Sequence, residues 1–209
     1  MHFTVEAQER IRRHVRESFA ERREILAIDG TAGNGFDTLF LATLVGQRGL
    51  VVAVDRQSSA IEATHAKLEE NQLLNRAKLI VGCHSHLREY LDDTELVRHV
   101  EQAEGEESQK SEGLGIDIAM FNLGYLPLGD KSIITQAETT LRAFDQVIAL
   151  LRSDGILSVI SYPGHDGGSE EHRSVCDWFH RKRDQLHLEV FRDESNPRSP
   201  VLWLARPTV

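Results

Sequence analysis

A chain of 209 residues with a 40% hydrophobic share can close one full α/β core, and no stretch approaches the roughly 18 apolar residues of a membrane-spanning helix. Its formal net charge of −9 argues against a generally basic nucleic-acid binder. Two cysteines and ten histidines offer no disulfide framework and no metal-ligand pattern beyond an isolated His84-x-His86, so a reducing cytoplasm and no bound metal are expected.

Residues 1–24 come first as a helical segment. Val5, Ile11, Val15 and Phe19 recur among arginines and glutamates, which predicts an amphipathic helix over Val5–Ala20. Arg10, Arg12, Arg13 and Arg16 suit its solvated face, with phosphate contact as the alternative. Met1–Arg23 contains no apolar signal core, so export is not expected. A short strand, Ile25–Ile28, then ends in Asp29 and enters the turn Gly30-Thr31-Ala32-Gly33-Asn34-Gly35, after which Phe36–Val45 reads as a helix. Strand, glycine turn and helix begin a nucleotide-binding βαβ unit, the glycines permitting positive φ and close backbone approach to a ligand. A dinucleotide site would show G-x-G-x-x-G; here the glycines fall at Gly30, Gly33 and Gly35. The βα turn of any doubly wound domain is the plainer alternative.

Leu50–Val54 is a continuous apolar run, as a buried parallel strand requires, and it ends in Asp55. Asp55 lies 26 residues after Asp29, where doubly wound folds place a carboxylate that accepts ribose hydroxyls. Gln57 stands at the next turn, and Ser58 or Ser59 is expected to cap a helix Ala60–Asn71. The third strand, Ala77–Val81, leads into Gly82-Cys83-His84, where Cys83 and His84 are candidate ligand contacts and His84 is equally a helix cap. Residues 92–113 hold eight acids against Arg98 and Lys110, a net of −6 that leaves −3 for the remainder. Their composition predicts a flexible insertion without a catalytic role.

Ile116–Phe121 reads as the fourth strand, with Asn122-Leu123-Gly124-Tyr125-Leu126-Pro127 at its carboxyl end. The first and fourth strands should flank the switch in strand order, so both loops should face one crevice. A helix from Thr135 to Leu151, with Leu141, Phe144, Ile148 and Leu151 on one face, should stop at Ser153-Asp154-Gly155. The fifth strand, Ile156–Ile160, delivers Tyr162-Pro163-Gly164-His165. A helix Glu170–Arg183 and the strands Leu186–Arg192 and Pro200–Ala205 follow, the last two suggesting an antiparallel hairpin.

Asp29-x-Thr31-x-Gly33-x-Gly35 resembles motif I of the S-adenosylmethionine (AdoMet) methyltransferases, with Thr31 in place of their first glycine. That likeness implies that the turn packs against the methionine part of AdoMet, with Asp29 facing its ammonium and Thr31, Gly33, Asn34, Gly35, Asp37 and Thr38 around it. Asn122 and Tyr125 keep the spacing of the Asn/Asp-Pro-Pro-Tyr loop of amine methyltransferases, with Leu123-Gly124 in place of the prolines. Together the glycine turn, Asn122-Leu123-Gly124-Tyr125-Leu126-Pro127, Gly129-Asp130-Lys131-Ser132 and Tyr162-Pro163-Gly164-His165 resemble a small bacterial family. It is labelled rRNA methylase and is associated with tRNA (5-aminomethyl-2-thiouridine) methyltransferase activity. The family usually has Asp-Ser-His where this chain has Gly82-Cys83-His84.

The resemblance implies a single class I domain over residues 1–209 with a Rossmann-like, doubly wound sheet of seven strands. The sheet would be mostly parallel, with an antiparallel strand near the C-terminus. It implies AdoMet as cofactor and a modified wobble uridine in tRNA as substrate, its aminomethyl group receiving the methyl. The cofactor residues would be those of the glycine turn together with Asp55, Gln57, Cys83, His84 and Asn122. Asn122 would orient the amine, Tyr125 or Tyr162 would pack on the uracil, and His165 would touch RNA or accept a proton. The expected partner is tRNA, with no membrane and no metal, and homodimerisation is left open. Two rivals stand beside this reading: methyl transfer to rRNA or a small molecule, and a non-catalytic AdoMet- or nucleotide-binding module.

Overall fold

The computed structural model describes residues 3–19, 24–92, 115–124, 135–164 and 168–208. The helices are α1 (Phe3–Ser18), α2 (Phe36–Leu44), α3 (Ser58–Glu70), α4 (Leu87–Leu91), α5 (Ala137–Leu150) and α6 (Gly168–Lys182). The strands are β1 (Leu26–Asp29), β2 (Leu50–Asp55), β3 (Ala77–Val81), β4 (Ile116–Asn122), β5 (Leu151–Ser161), β6 (Leu186–Arg192) and β7 (Val201–Pro207). They form one seven-stranded sheet in the order β3-β2-β1-β4-β5-β7-β6. The pairs among β1 to β5 are all parallel, and β7 runs antiparallel to both β5 and β6. This is the α/β methyltransferase arrangement expected from the sequence. Among the described residues no helix is long and apolar enough to cross a membrane.

Alternation along the strands sends side chains to two cores. Leu26, Ile28, Leu50, Val52 and Val54 join Phe144 and Val147 of α5 and Trp178 and Phe179 of α6 on one face. Ala27, Val51, Ile118 and Met120 meet Ile11 of α1, Leu41 of α2 and Leu68 of α3 on the other. Because both faces are covered, β1 and β2 carry uninterrupted apolar runs. The chain winds one way through β1, β2 and β3 and the other way through β4 and β5. The strand order therefore reverses between β1 and β4, which pair directly from Ala27↔Ile118 to Asp29↔Met120.

Several local expectations give way to packing. The buried stripe of α1 is Phe3, Ala7, Ile11 and His14, whereas Val5 is exposed. His14 belongs to that stripe because its Nε2 donates to the carbonyl of Asp154 at 2.7 Å, anchoring α1 to β5. The N-cap of α3 is Gln57, without a side-chain capping bond, so Ser58 and Ser59 are the first helical residues rather than caps. The buried face of α5 is Thr140, Ala143, Phe144 and Val147; Leu141, Ile148 and Leu151 pack only at its margin. α5 ends at Leu150 and passes straight into β5, with Ser153, Asp154 and Gly155 inside a register shift between Ile116↔Leu151 and Ile118↔Ile156. The predicted acidic insertion, apart from Asp92, lies outside the described residues.

Candidate active site

At the switch point the glycine turn spans three strand ends. Gly30 N–H donates to Met120 O at 2.9 Å and Ala32 N–H to Val54 O at 3.0 Å, so the turn is tied to β4 and β2 at once. Gly30 has to be glycine, since a Cβ there would lie 2.1 Å from the Phe121 ring. Gly35 starts α2 at φ +75°, and a Cβ on it would come within 2.8 Å of the Thr64 backbone. Absence of side chains thus lets the turn sit low over the sheet and leaves room above it.

Above it opens a cleft of about 650 Å³, a size ordinary for a small-molecule site. It is lined by Thr31, Gly33, Asn34, Asp37, Asp55, Gln57 and His84 together with Asn122, Gly124, Thr135, Tyr162, Gly164 and Arg198. Asp55 accepts Gly33 N–H at 2.9 Å through one oxygen and Gln57 N–H at 2.9 Å through the other. A carboxylate oxygen has two lone pairs, so each keeps acceptor capacity toward a ligand hydroxyl.

His84 lies deeper. Its Nδ1 donates to Gly30 O at 3.1 Å, its ring meets Phe121 edge-on, and burial lowers its pKa, which keeps the imidazole neutral. Its buried Nε2 has no hydrogen-bond partner among the described residues. An acceptor left open beside a cradle that a Cβ would fill fits a ligand carrying a hydroxylated sugar and an amino-bearing base, as AdoMet does.

Asp29 does not line this cleft. It is buried under the turn, accepting Thr31 N–H at 3.1 Å and the Thr38 hydroxyl at 2.6 Å. Burial, then the neighbouring Asp37, pushes its pKa up to about 7, against the hydrogen bonds from Thr38 and Thr31 that pull it down. Thr38 is fully buried as the partner of Asp29, and Gly35 is buried by packing against α3. Cys83 is outside the lining, with its sulfur accepting from the Ser85 hydroxyl at 3.1 Å. These four predicted contacts shape the site from beneath or beside it.

Asn122 comes into the cleft from the end of β4. Its backbone N–H donates to Thr31 Oγ1 at 2.8 Å, its Oδ1 accepts the Tyr162 hydroxyl at 2.8 Å, and its Nδ2 donates to Asp37 Oδ2 at 3.4 Å. Burial and the Asp37 charge raise the Tyr162 pKa, so the phenol stays protonated. Asp37 Oδ1 accepts from Gln8 Nε2 at 2.8 Å, and burial raises this carboxyl above the usual range. The predicted Tyr125 and His165, and the Gly129–Ser132 stretch, lie outside the described residues.

The sequence reading missed Gln8 altogether, as well as the hydrogen bond between Thr4 and Tyr162. Both sit on α1 four residues apart, a polar pair on one helical face beside the Phe3-Ala7-Ile11 stripe. That spacing was the available signal. It also missed Glu171, buried on α6, which accepts the hydroxyls of Thr135 at 2.6 Å and Thr140 at 3.0 Å. Thr135 in turn pairs with Gly124, donating N–H to its carbonyl at 3.0 Å and accepting its N–H at 2.8 Å. Among the described residues no three histidine, cysteine or acidic side chains converge to hold a metal.

Comparison with known proteins agrees with this architecture. The family model "Putative rRNA methylase" matches residues 51–204. A chloroplastic tRNA (mnm(5)s(2)U34)-methyltransferase of Arabidopsis thaliana is 38% identical over 152 residues, 69% of this chain and 48% of that protein. The chain thus spans about half the length of the curated relative it matches. Among solved structures, a chain described as an rRNA-methylase from Clostridium thermocellum superposes with TM-score 0.75 at 32% identity, covering 88% of this chain and 89% of that one. Another from Streptococcus mutans, described as a methyltransferase and solved in complex with SAH, gives TM-score 0.69 at 27% identity, with 88% and 89% covered. A match of this extent settles membership: the chain belongs to the rRNA methylase family, a branch of the AdoMet-dependent methyltransferases.

Proposed function

We propose that this protein methylates the aminomethyl group of a modified wobble uridine in tRNA, acting as one class I domain in the cytoplasm. The observation that carries the reading is the hydrogen-bonded set Asp37, Asn122 and Tyr162, which shares one cleft with the glycine turn and Asp55. It is supported by the 38% identity to a relative named for methylation of that class of uridine. AdoMet, when bound, supplies a methyl group already activated on a sulfonium. The turn from Thr31 to Gly35 holds its amino-acid part, Asp55 its ribose hydroxyls, and Gln57 and His84 flank its base. Asn122, oriented by Tyr162, aligns the acceptor nitrogen. Because the donor is pre-activated, the protein contributes chiefly alignment and exclusion of water, worth up to roughly 7–11 kcal/mol in favourable cases.

The test is transfer of tritium from labelled AdoMet to bulk tRNA lacking the terminal methyl, beside rRNA and free nucleoside. Label in tRNA alone supports the proposal; label in rRNA or nucleoside alone replaces its substrate. The net charge of −9 is the observation that favours a small-molecule acceptor as the second reading.

A further inference from the structure

A primary alkylamine is mainly an ammonium near neutral pH, without a lone pair to offer. A site that methylates one has to remove a proton first. Among the described residues facing the cleft, most titratable groups are committed elsewhere. The Asp55 oxygens hold Gly33 and Gln57 N–H groups. His84 Nδ1 is bonded to Gly30 O, and its open Nε2 is the acceptor assigned above to the base of AdoMet. The Tyr162 hydroxyl donates to Asn122. The Asn122 oxygen receives that hydrogen and, being an amide, is a feeble base in any case. Asp37 differs. It lines the cleft beside Asn122, it is 7% exposed, and its partners are two neutral amides, Gln8 at 2.8 Å and Asn122 at 3.4 Å. Burial and the hydrogen bonds from Gln8 and Asn122 set its pKa, with no cation contributing among the described residues, so an incoming ammonium would be its charge partner.

We propose that Asp37 is the catalytic proton acceptor for the substrate amine, held in place by Gln8 from α1 and Asn122 from β4. This rests on the methyltransferase reading above and names the residue that prepares its acceptor. The substrate enters as R–NH₃⁺ against the Asp37 carboxylate, and one proton passes to the carboxylate, giving R–NH₂ and the neutral acid. The amine lone pair then forms the N–C bond to the sulfonium methyl as the S–C bond breaks, its electron pair remaining on sulfur. The product leaves as R–NH₂⁺–CH₃, and Asp37 returns its proton to solvent. The raised affinity of buried Asp37 for a proton brings it closer to the amine and eases this exchange. Gln8 is a positioning residue, its hydrogen bond favouring the ionised carboxylate that binds the ammonium. Among the described residues the titratable groups facing Asp37 are Asp29 at the end of β1 and Tyr162 after β5, both acids that disfavour a second negative charge.

An alkylammonium also occurs on the donor itself, in its methionine part, and the experiment has to separate the two. Asp37→Asn and Gln8→Ala are compared with the unaltered protein in AdoMet affinity by calorimetry. Single-turnover methylation of tRNA carrying the 5-aminomethyl group is then followed from acid to alkaline pH. Expected for Asp37→Asn is nearly unchanged AdoMet affinity and a rate at neutral pH lower by about 10²-fold or more, the scale of a lost general base. That rate should recover as rising pH deprotonates the amine without help. Expected for Gln8→Ala, the milder change, is an acid limb displaced to higher pH, because Asp37 then holds its proton more tightly.

Loss of AdoMet binding in Asp37→Asn would assign the carboxylate to the donor's own ammonium and overturn the proposal. So would a wild-type rate, or a deficit constant across pH. A wild-type protein inactive on this tRNA overturns the substrate reading, and with it the assignment that depends on it.

Discussion

The carboxylate of Asp55, at the end of β2, accepts the backbone N–H of Gly33 at 2.9 Å, so the strand end clamps the glycine turn that follows β1. The same carboxylate holds Gln57 N–H as the chain enters α3. The residue proposed to bind the ribose is therefore also the fastener of two loops at the cleft wall.

Asp55→Ala should weaken AdoMet binding by about 1.5–3 kcal/mol, the range for hydrogen bonds to a charged group. Asp55→Asn should do nearly as badly, because its NH₂ group would meet one of two backbone donors. Calorimetry on the folded variants checks both, and unchanged affinity would refute the ribose assignment.

Gly30→Ala tests how low the turn sits. Its methyl would fall 2.1 Å from Phe121, a ring already packed against Phe144 at 5.0 Å and against His84. Neither neighbour leaves that ring an open side, so the variant should lose about 1–3 kcal/mol of stability, the cost of overpacking. A melting temperature equal to wild type would show that the ring relocates freely.

The βαβ frame was legible because its signals are local. Continuous apolar runs in β1 and β2, glycines at Gly30, Gly33 and Gly35, and acids at both strand ends predict the switch point unaided. Side-chain direction at a strand end is not local. Asp29 was expected to face a ligand, yet it turns under the loop to Thr31 and Thr38. The Gln8–Asp37 bond joins residues 29 apart through the packing of α1, which periodicity cannot encode. Along α1 the predicted Ile11, Val15 and Phe19 do pack on the core while Val5 is exposed, and His14, polar in a pattern, is buried because Asp154 O accepts from it.

Asp29 gives a pH prediction. Its folded-state pKa is raised from 3.8 to about 7, so folding favours the protonated acid. The associated stability is fully present below about pH 4 and is lost as pH rises through about 7. Asp29→Asn imitates the neutral acid, with Oδ1 accepting from Thr31 and Nδ2 donating to the Thr38 hydroxyl. It should flatten the fall in melting temperature between about pH 4 and 7, an effect of up to about 4 kcal/mol at its ceiling. An identical slope in the variant would show that Asp29 is ionised throughout.

Arg198 supplies a test of the RNA reading. It is exposed in the β6–β7 connection at the rim of the cleft, with its guanidinium donating to Gly164 O at 3.2 Å. If it meets a phosphate, Arg198→Ala should weaken tRNA binding and reduce the slope of log affinity against log salt by about 0.7–0.9. AdoMet affinity should not change. A variant with the wild-type salt slope would remove Arg198 from the RNA surface.

The last prediction concerns coupling between Tyr162 and Asn122, joined by a 2.8 Å hydrogen bond from the phenol to the amide oxygen. If Asn122 aligns the acceptor amine, its loss matters in the transition state and little for AdoMet alone. Asn122→Ala should bind AdoMet nearly normally while methyl transfer falls by about 10²-fold, the scale of a misplaced reacting group. Tyr162→Phe leaves the amide in place but frees its oxygen to rotate, so a smaller loss is expected. Because the phenol acts through the amide, the double variant should be no slower than Asn122→Ala, with a coupling energy inside the roughly 0.5–3 kcal/mol found for contacting residues. Additive losses would mean that the Tyr162 hydroxyl touches the substrate independently of Asn122. Loss of AdoMet binding in both single variants would move the pair into the cofactor site instead.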